Sequence, residues 1–592
     1  MKFREILAEL QRRNVFKALL AYLAVAWVVI QIASILLPAF NAPEYAMKVL
    51  LVVLGIGFFF WAVFSWIYDL TPNGFQKTDA TLTNIDTYRR NSKRLNSVIA
   101  SSIVIAILLL LIASFWAGWQ WNQPQTQGEK RIAVIPFEQL DENKEDSYFS
   151  EGMTETLINA LSKVGDVKVL SMASTRYLQA GFSPADPIIA NELSYIDYFI
   201  YGTIQRNSNS ISVVLKISKT ITGNVIWEKE YTSDISMVRQ LWTSIAMEVT
   251  NEFDIKNKDV QLLQKAGITS VKPETYELYL KGKYYLNKST VADWQRGIVY
   301  LEEAVDQNAA DPYAYAGLAE GYVTLGHSLT PPPDVFPKAL AAAKRAIQLD
   351  SSNAEGWAAL SHYHTYFGWD WDLAEYAFEK ANEINPNMAY NHYHRAWYLA
   401  LFGRMDEAIL EHKLAQELDP FISLHTAWLG GLYRMAGAYD KGLIEAEKAS
   451  GMQHDNALSM YIKGSIYIDT GRTEEGLEIL AQAAKINPGW RYYGYGMALF
   501  KTGRFEEGMK IIHELEAMEE TPFYSLCLAY LYFNADDLDK GFEWLQSAKG
   551  HAFYPWIRVI MPNPKVKKDP RYLELLKELG LPPPSPLVYN ST

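Results

Sequence analysis

The hydrophobic and polar positions of the 592-residue chain change their pattern twice between the two termini. Residues 1–121 contain three runs without a charged residue, at 18–38, 49–68 and 98–119. About 20 residues at roughly 1.5 Å each are enough to cross a hydrocarbon core of about 30 Å. The runs therefore predict three transmembrane α-helices in a membrane region that covers residues 1–121.

After a polar linker at 122–129, residues 130–255 alternate between short apolar runs and amphipathic segments. Strand-like runs lie at 131–137, 167–170, 198–205, 211–220 and 225–232. Helical spacing of apolar residues predicts helices at 147–163, 188–193 and 237–253. Strands and helices in this order predict a small α/β domain.

From residue 273 to 549 the pattern repeats about every 34 residues. Pro386, Pro420 and Pro488 lie on one such grid, and Gly403, Gly437 and Gly471 lie on a second. A constant period of this length predicts about eight helical hairpins stacked into a solenoid, followed by a capping segment at 550–592. The fold class expected is therefore a multi-domain chain with three transmembrane α-helices, a small α/β domain and an all-α solenoid.

Basic residues around the predicted spans indicate their orientation. Lys2, Arg4, Arg12, Arg13 and Lys17 precede the first span, and Lys77, Arg89, Arg90, Lys93 and Arg94 lie between the second and the third. Because basic loops stay in the cytoplasm, three spans would place residues 122–592 of this multi-pass protein on the far side of the membrane, which is the periplasm in a Gram-negative cell. The alternative is that these basic loops bind anionic lipid or nucleic acid.

Composition and charge argue against several classes of function. The net charge of −12 disfavours nucleic-acid binding, and the single cysteine, Cys527, excludes a disulfide framework and a Cys-rich metal site. The pairs His362/His364 and His392/His394 have a spacing of two, which places their members on different faces of a helix, whereas a helical zinc pair needs a spacing of three or four. We therefore expect a non-enzymatic protein with no catalytic residue, metal site, cofactor or nucleic-acid partner.

The repeat resembles the tetratricopeptide repeat (TPR) family. In the unit that ends at Pro420, the residues that match the family's signature positions are Ala396, Leu399, Gly403, Ala408 and Ala415. The resemblance implies two antiparallel helices, A and B, in each unit, with helix A lining a concave surface.

Two further regions resemble bacterial families. The segments "IAVIPFEQL" and "TGNVIWEKEY" are similar to the small α/β module at the amino end of TolB and in FlgO-like proteins. The segments "RRNVFK" and "LTPNG" are similar to the membrane region of a bacterial family of membrane-bound repeat proteins. Together these resemblances imply a membrane-anchored TPR protein of bacteria, with relatives that act in the envelope or in regulation.

The helix A positions that would face the concave surface are rich in aromatic residues. With the unit ending at Pro420 as the reference, the candidates for a ligand groove are Tyr366, Tyr390, Tyr393, Trp397, Arg434, Tyr461, Trp490 and Tyr493. Such a groove suits a peptide, a helix or a saccharide, because rings bury a large area and stack. The alternative is that several of these rings only pack between neighbouring hairpins.

Two functions follow from this organisation. The first is an inner-membrane scaffold whose TPR domain binds a protein or peptide partner in the periplasm, as an accessory to envelope assembly or to a nutrient (polysaccharide) uptake system. The second is a transmembrane sensor that reports ligand occupancy of the TPR domain to a cytoplasmic partner at the loop 77–94. The sequence identifies neither the ligand nor the pathway.

Overall fold

The structure is a computed structural model that describes residues 45–77, 130–253, 272–453 and 455–584, with scattered positions between 19 and 33. Short gaps in the described ranges lie at 72–73, 141–146, 165–166, 180–181, 184–194, 208, 289, 328–331 and 561–562. Contacts divide the chain into two compact units, Met1–Gln127 and Gly128–Thr592.

The first unit contains helix α1 (Tyr45–Ile67) and a hairpin of two short strands, β1 (Tyr68–Thr71) and β2 (Gly74–Lys77). The two strands are antiparallel, so that Leu70 lies opposite Phe75. They follow α1 directly, and the hairpin therefore extends the helix at its C-terminal end.

The fold class expected from the sequence needs one correction, which concerns the three transmembrane helices. The run at 98–119 lies outside the described residues, and the run at 18–38 is described only at scattered positions. Helix α1 covers most of the run at 49–68, but its side chains are described without a break only over 50–62, which is about 20 Å of helix. Among the described residues, no helix is long and apolar enough to cross a membrane. The periplasmic location of residues 122–592 depended on those spans and stays a prediction.

The second unit begins with a mixed sheet of six strands. The strands are β3 (Lys130–Val134), β4 (Glu138–Gln139), β5 (Val167–Val169), β6 (Tyr198–Arg206), β7 (Ser210–Lys219) and β8 (Val225–Asp234). Their order is β5-β3-β6-β7-β8, with β4 beside β6. Strand β3 is parallel to β5 and β6, whereas β6, β7 and β8 are joined in antiparallel pairs.

Helices α2 (Ser147–Leu161), α3 (Met172–Gln179) and α4 (Val238–Glu252) complete this α/β domain. Trp242 of α4 is fully buried, stacks on Phe137 at 5.6 Å between ring centroids and donates its indole N–H to the sulfur of Met153. The strands and two of the helices predicted between 131 and 253 are confirmed to within a few residues. The helix predicted at 188–193 lies outside the described residues.

The solenoid predicted from the 34-residue period is confirmed as eight helical hairpins over the described residues. The pairs are α5 (Pro273–Leu286) with α6 (Val291–Gln307), α7 (Pro312–Gly326) with α8 (Pro332–Leu349), α9 (Ala354–Tyr363) with α10 (Trp371–Ile384), α11 (Ala389–Leu401) with α12 (Met405–Leu418), α13 (Ser423–Met435) with α14 (Tyr439–Met452), α15 (Ala457–Asp469) with α16 (Thr473–Ile486), α17 (Gly496–Lys501) with α18 (Phe505–Glu516), and α19 (Pro522–Asn534) with α20 (Leu538–Ser547). Wider π-helical turns follow α9 (His364–Gly368) and precede α17 (Arg491–Tyr495). Paired helices cross at small residues: a Cβ added to Gly442 would lie 3.0 Å from the carbonyl oxygen of Gly430.

The glycine grid marks the turns between helices A and B. Gly471 has a φ of +86°, and the following Arg472 N–H donates to the Tyr467 carbonyl at 2.8 Å, which closes the end of α15.

Alanine at position 471 is strained by its Cβ, so Gly471→Ala should lower the free energy of unfolding by about 1 kcal/mol or more. The midpoint of guanidinium unfolding measures this change. Gly451→Ala is the control, because Gly451 lies within α14 at negative φ and its Cβ would meet nothing within 4 Å; a loss at both positions would contradict the argument.

The α/β domain contacts the solenoid at two separate places. At the first, Arg239 of α4 pairs with Asp311, which begins α7, at 2.9 Å between Nη2 and Oδ2. At the second, the side-chain amide of Asn387 donates to the carbonyls of Ser162 and Val167 at 2.8 and 2.7 Å. These contacts explain why the α/β domain and the solenoid belong to one compact unit.

The C-terminal segment spans more of the solenoid than a simple cap. It contains a 3₁₀ turn (Tyr554–Trp556) and helices α21 (Ile557–Ile560), α22 (Pro564–Lys568) and α23 (Pro570–Glu578). Asn563 donates from its side chain to the Phe533 carbonyl of the last hairpin at 2.5 Å. The Trp371 indole of the third hairpin donates to the Leu579 carbonyl at 2.5 Å. The segment therefore joins the last hairpin to the third.

Candidate functional site

The concave side of the solenoid encloses a cavity of about 1100 Å³. Helix A of successive hairpins forms most of its wall, and the C-terminal segment forms the rest through Phe553, Trp556, Val559 and Ile560. This volume lies just above the range of about 300–1,000 Å³ that is usual for ligand pockets. It is therefore large enough for a ligand of several residues.

All eight groove candidates of the sequence line this one cavity. They are Tyr366, Tyr390, Tyr393, Trp397, Arg434, Tyr461, Trp490 and Tyr493. Trp397 lies on α11, Arg434 on α13 and Tyr461 on α15, so each successive hairpin contributes from its helix A. That these residues bind a ligand stays a prediction.

The rings of the cavity also pack against one another, as the alternative interpretation expected. Tyr461 and Trp490 are stacked with centroids 4.2 Å apart and planes 16° from parallel. Tyr366 stacks on Trp556 of the C-terminal segment at 4.9 Å and 6°. The wall is therefore preorganised, and its stacked rings cover part of each other's faces.

A cluster of buried histidines lies partly in the cavity wall and partly behind it. The ring centroids of His362 and His394 are 3.7 Å apart, and the Tyr366 hydroxyl lies 2.8 Å from Nδ1 of His394. Burial, and then the neighbouring His327, lowers the pKa of His362; burial, and then His362, lowers the pKa of His394. Both rings are therefore neutral at pH 7.

Across the described ranges, no three His, Cys, Asp or Glu side chains are placed to hold a metal ion.

The pair His392/His394 noted in the sequence is split by the helix, as its spacing predicts. His394 lines the cavity, whereas His392 bonds to Glu411 at 2.6 Å and to the Pro386 carbonyl at 2.8 Å. Cys527 also lies in the cavity wall and is 1% exposed. Burial raises the pKa of its thiol, which is therefore protonated at neutral pH.

Five charged side chains of the described residues line the cavity, four of them cationic. Arg434 donates from Nε to Asp469 at 2.8 Å, and Lys501 pairs with the other oxygen of the same carboxylate. Lys567 and Lys568 of α22 line the cavity as well.

The part of the wall that the C-terminal segment supplies was not among the predictions from the sequence. Phe553 and Trp556 lie outside the repeat, so the period that located the groove could not locate them. One signal was present: the run 552–560 is apolar and aromatic except for Arg558, which is unusual for a segment that only covers the end of a solenoid.

No protein-family model matches the chain. The chain is similar to Putative adenylate cyclase 3 of Rhizobium meliloti (strain 1021), with 24% identity over 262 residues that form 43% of each chain. It is also similar to the transcriptional regulator HilA of Salmonella typhimurium, with 22% identity over 306 residues, 50% of this chain and 52% of HilA. Among solved structures, YrrB, a TPR protein with an unusual peptide-binding site, matches 32% of this chain and 92% of its own at 21% identity and a TM-score of 0.25. The chain thus spans about half the length of the curated relatives it matches.

Proposed function

We propose that the chain is a non-enzymatic binding protein that holds a segment of a protein or peptide partner in the aromatic cavity. The observation that carries this proposal is the cavity itself, which collects eight groove residues from successive hairpins and is closed by Trp556 and its neighbours. Large apolar cavities with few polar groups are the usual form of a binding site. Aromatic side chains dominate the binding energy of most protein interfaces.

The stacking of the rings favours a peptide over a saccharide. Sugars bind to aromatic residues through open ring faces, but the faces of Tyr461 and Trp490 are turned toward each other. Trp397 and Trp428 meet edge to face, at 5.0 Å and 89°. Apolar side chains of a peptide can enter the spaces between such rings, because they need contact area and no exposed face.

The chemistry of the wall supports binding without catalysis. A cysteine nucleophile must be a thiolate in an accessible, electropositive site, whereas Cys527 is a buried, protonated thiol. His394, which could act as a base, shares a hydrogen bond with Tyr366 inside the wall. Among the described residues, none orients Cys527 or His394 in the manner of the third member of a catalytic triad.

The test is a selection of short peptides on the purified full-length chain, followed by affinity measurement for the selected peptides. We expect the double variant Trp397→Ala/Trp490→Ala to bind them at least about 30-fold more weakly, because two anchor rings are removed. Tyr177→Ala is the matched control, since Tyr177 is an exposed ring of the α/β domain. Circular dichroism and thermal unfolding check that each variant is folded. Unchanged affinity in a folded double variant would exclude the cavity as the binding site.

A further inference from the structure

The charges of the cavity wall are unequal in number. Asp469 is the one carboxylate among the described residues that line the cavity, and it is shared by Arg434 and Lys501. Lys567 and Lys568 line the same cavity, and no described carboxylate lies within ion-pair distance of either ammonium group. The wall therefore carries an excess of positive charge on the side formed by α22.

A buried arginine adds to this excess from behind. Arg558 is 4% exposed, and its guanidinium donates to the carbonyls of Pro582 and Pro583 at 2.9 and 3.3 Å. None of the described carboxylates pairs with Arg558. Burial, and then the neighbouring Arg558, lowers the pKa of Lys567. Two cations are thus held close together, partly out of water, without a negative charge to compensate them.

Holding cations in this way costs free energy, since burial removes part of their hydration and like charges repel. An anion placed beside them in the cavity would remove this cost and gain charge-assisted hydrogen bonds. Arg434 and Lys501 already pair with Asp469, so an added anion would gain less beside them. The position at which a ligand gains most is therefore beside the half-buried Lys567, with the exposed Lys568 next to it.

We propose that the peptide segment held in the cavity is acidic, with a carboxylate bound by Lys567 and Lys568 and apolar side chains placed among the rings. This inference rests on the proposed function and names the chemical class of its ligand. The carboxylate site belongs to the C-terminal segment, so the segment both closes the cavity and selects the charge of what enters. A neutral peptide can use the rings alone, but it leaves the two lysines uncompensated.

The experiment uses the full-length chain and three sets of fluorescein-labelled short peptides. All sets have Trp, Phe, Leu or Ile at alternating positions and blocked termini; the remaining positions are Glu, Gln or Lys. Fluorescence anisotropy gives the affinity at low and high salt. We expect the Glu set to bind about tenfold or more tightly than the Gln set, with a difference that shrinks at high salt, and the Lys set to bind most weakly.

Two variants of α22 locate the effect. Lys567→Gln/Lys568→Gln should remove the preference for the Glu set, so that the variant binds the Glu and Gln sets with similar affinity. Lys565→Gln is the control on the same helix, because Lys565 is largely exposed, pairs with Asp536 and does not line the cavity. A control variant that loses the preference equally would overturn the assignment to Lys567 and Lys568.

The outcomes separate this inference from the proposed function. Equal affinity of the wild type for the Glu and Gln sets, with both weakened by Trp397→Ala/Trp490→Ala, overturns the acidic ligand and keeps the peptide cavity. Failure of all three sets to bind overturns both. Unlabelled oligouronate and unlabelled Glu peptides are also compared as competitors of the labelled Glu set. Displacement by oligouronate at a lower concentration than the unlabelled Glu peptides require overturns the peptide class in favour of an acidic saccharide.

Discussion

Replacement of Asp311 by asparagine is expected to lower the free energy of unfolding of the second unit by about 3–5 kcal/mol. Asp311 is 1% exposed and Arg239 is 8% exposed, so the pair is almost completely removed from water. The Arg239 guanidinium also lies over the ring of Tyr313 at 4.4 Å. Without the carboxylate, a cation would stay buried among rings that cannot replace the missing charge.

Asparagine is chosen because it changes the charge and keeps the cap. Asp311 accepts a hydrogen bond from the Tyr313 N–H at 3.0 Å at the start of α7, and an amide oxygen can accept it equally well. The measurement is the midpoint and slope of guanidinium unfolding. Lys168→Gln is the control, because the Lys168–Glu417 pair also joins the α/β domain to the solenoid but is more exposed. Exposed pairs contribute about 1 kcal/mol or less to the free energy of unfolding. A loss below about 1 kcal/mol for Asp311→Asn would show that the junction does not depend on this pair.

The periodic part of the fold could be predicted because a repeat is a local property of the sequence. Gly471 and its equivalents require a positive φ, so their spacing fixes where each helix A ends. Once that end is known, the 3.6-residue turn fixes which side chains face the concave surface. This is why Tyr393, Trp397 and Tyr461, which follow from the spacing together with the family resemblance of the repeat, lie in one cavity.

The closure of the cavity could not be predicted in the same way. The bond from Trp371 to the Leu579 carbonyl joins residues 208 positions apart, and the segment that makes it has no period to align. The Arg239–Asp311 pair joins residues 72 positions apart in two differently patterned regions. Such contacts depend on how rigid elements are placed in space, and that placement is decided by many weak contacts at once.

The histidine cluster shows a second limit of reading spacing along one helix. Within each helix, a spacing of two separates the members of a pair, and the structure agrees for His392 and His394. The close contact arises between hairpins, where His362 meets His394 across the concave side. The two residues are 32 positions apart, two fewer than the period of 34, so the period by itself does not pair them.

This cluster leads to the second large expected effect, which is a steep loss of stability in mild acid. His362, His394 and His412 are at most 5% exposed, and burial is the main cause that lowers the pKa of each. For His412 the pKa falls from the ordinary value of 6.5 to about 3. In the unfolded chain these rings titrate near 6.5, so between that value and their folded pKa the unfolded state binds more protons. The stability they support is complete above about pH 7 and is lost as the pH falls.

Three such rings should lower the free energy of unfolding by about 4 kcal/mol for each pH unit between 6 and 5, since each proton contributes about 1.36 kcal/mol per unit. This window lies above the range in which most carboxylates titrate. Unfolding in guanidinium at a series of pH values measures the slope. His362→Leu should reduce the slope by about one proton and cost little at pH 7, because neither ring nitrogen of His362 has a hydrogen-bond partner among the described residues. His513→Leu is the control, since His513 is exposed on α18. A wild-type curve that is flat between pH 6 and 5 would mean that the cluster takes up protons without unfolding, and that its burial does not hold the rings neutral.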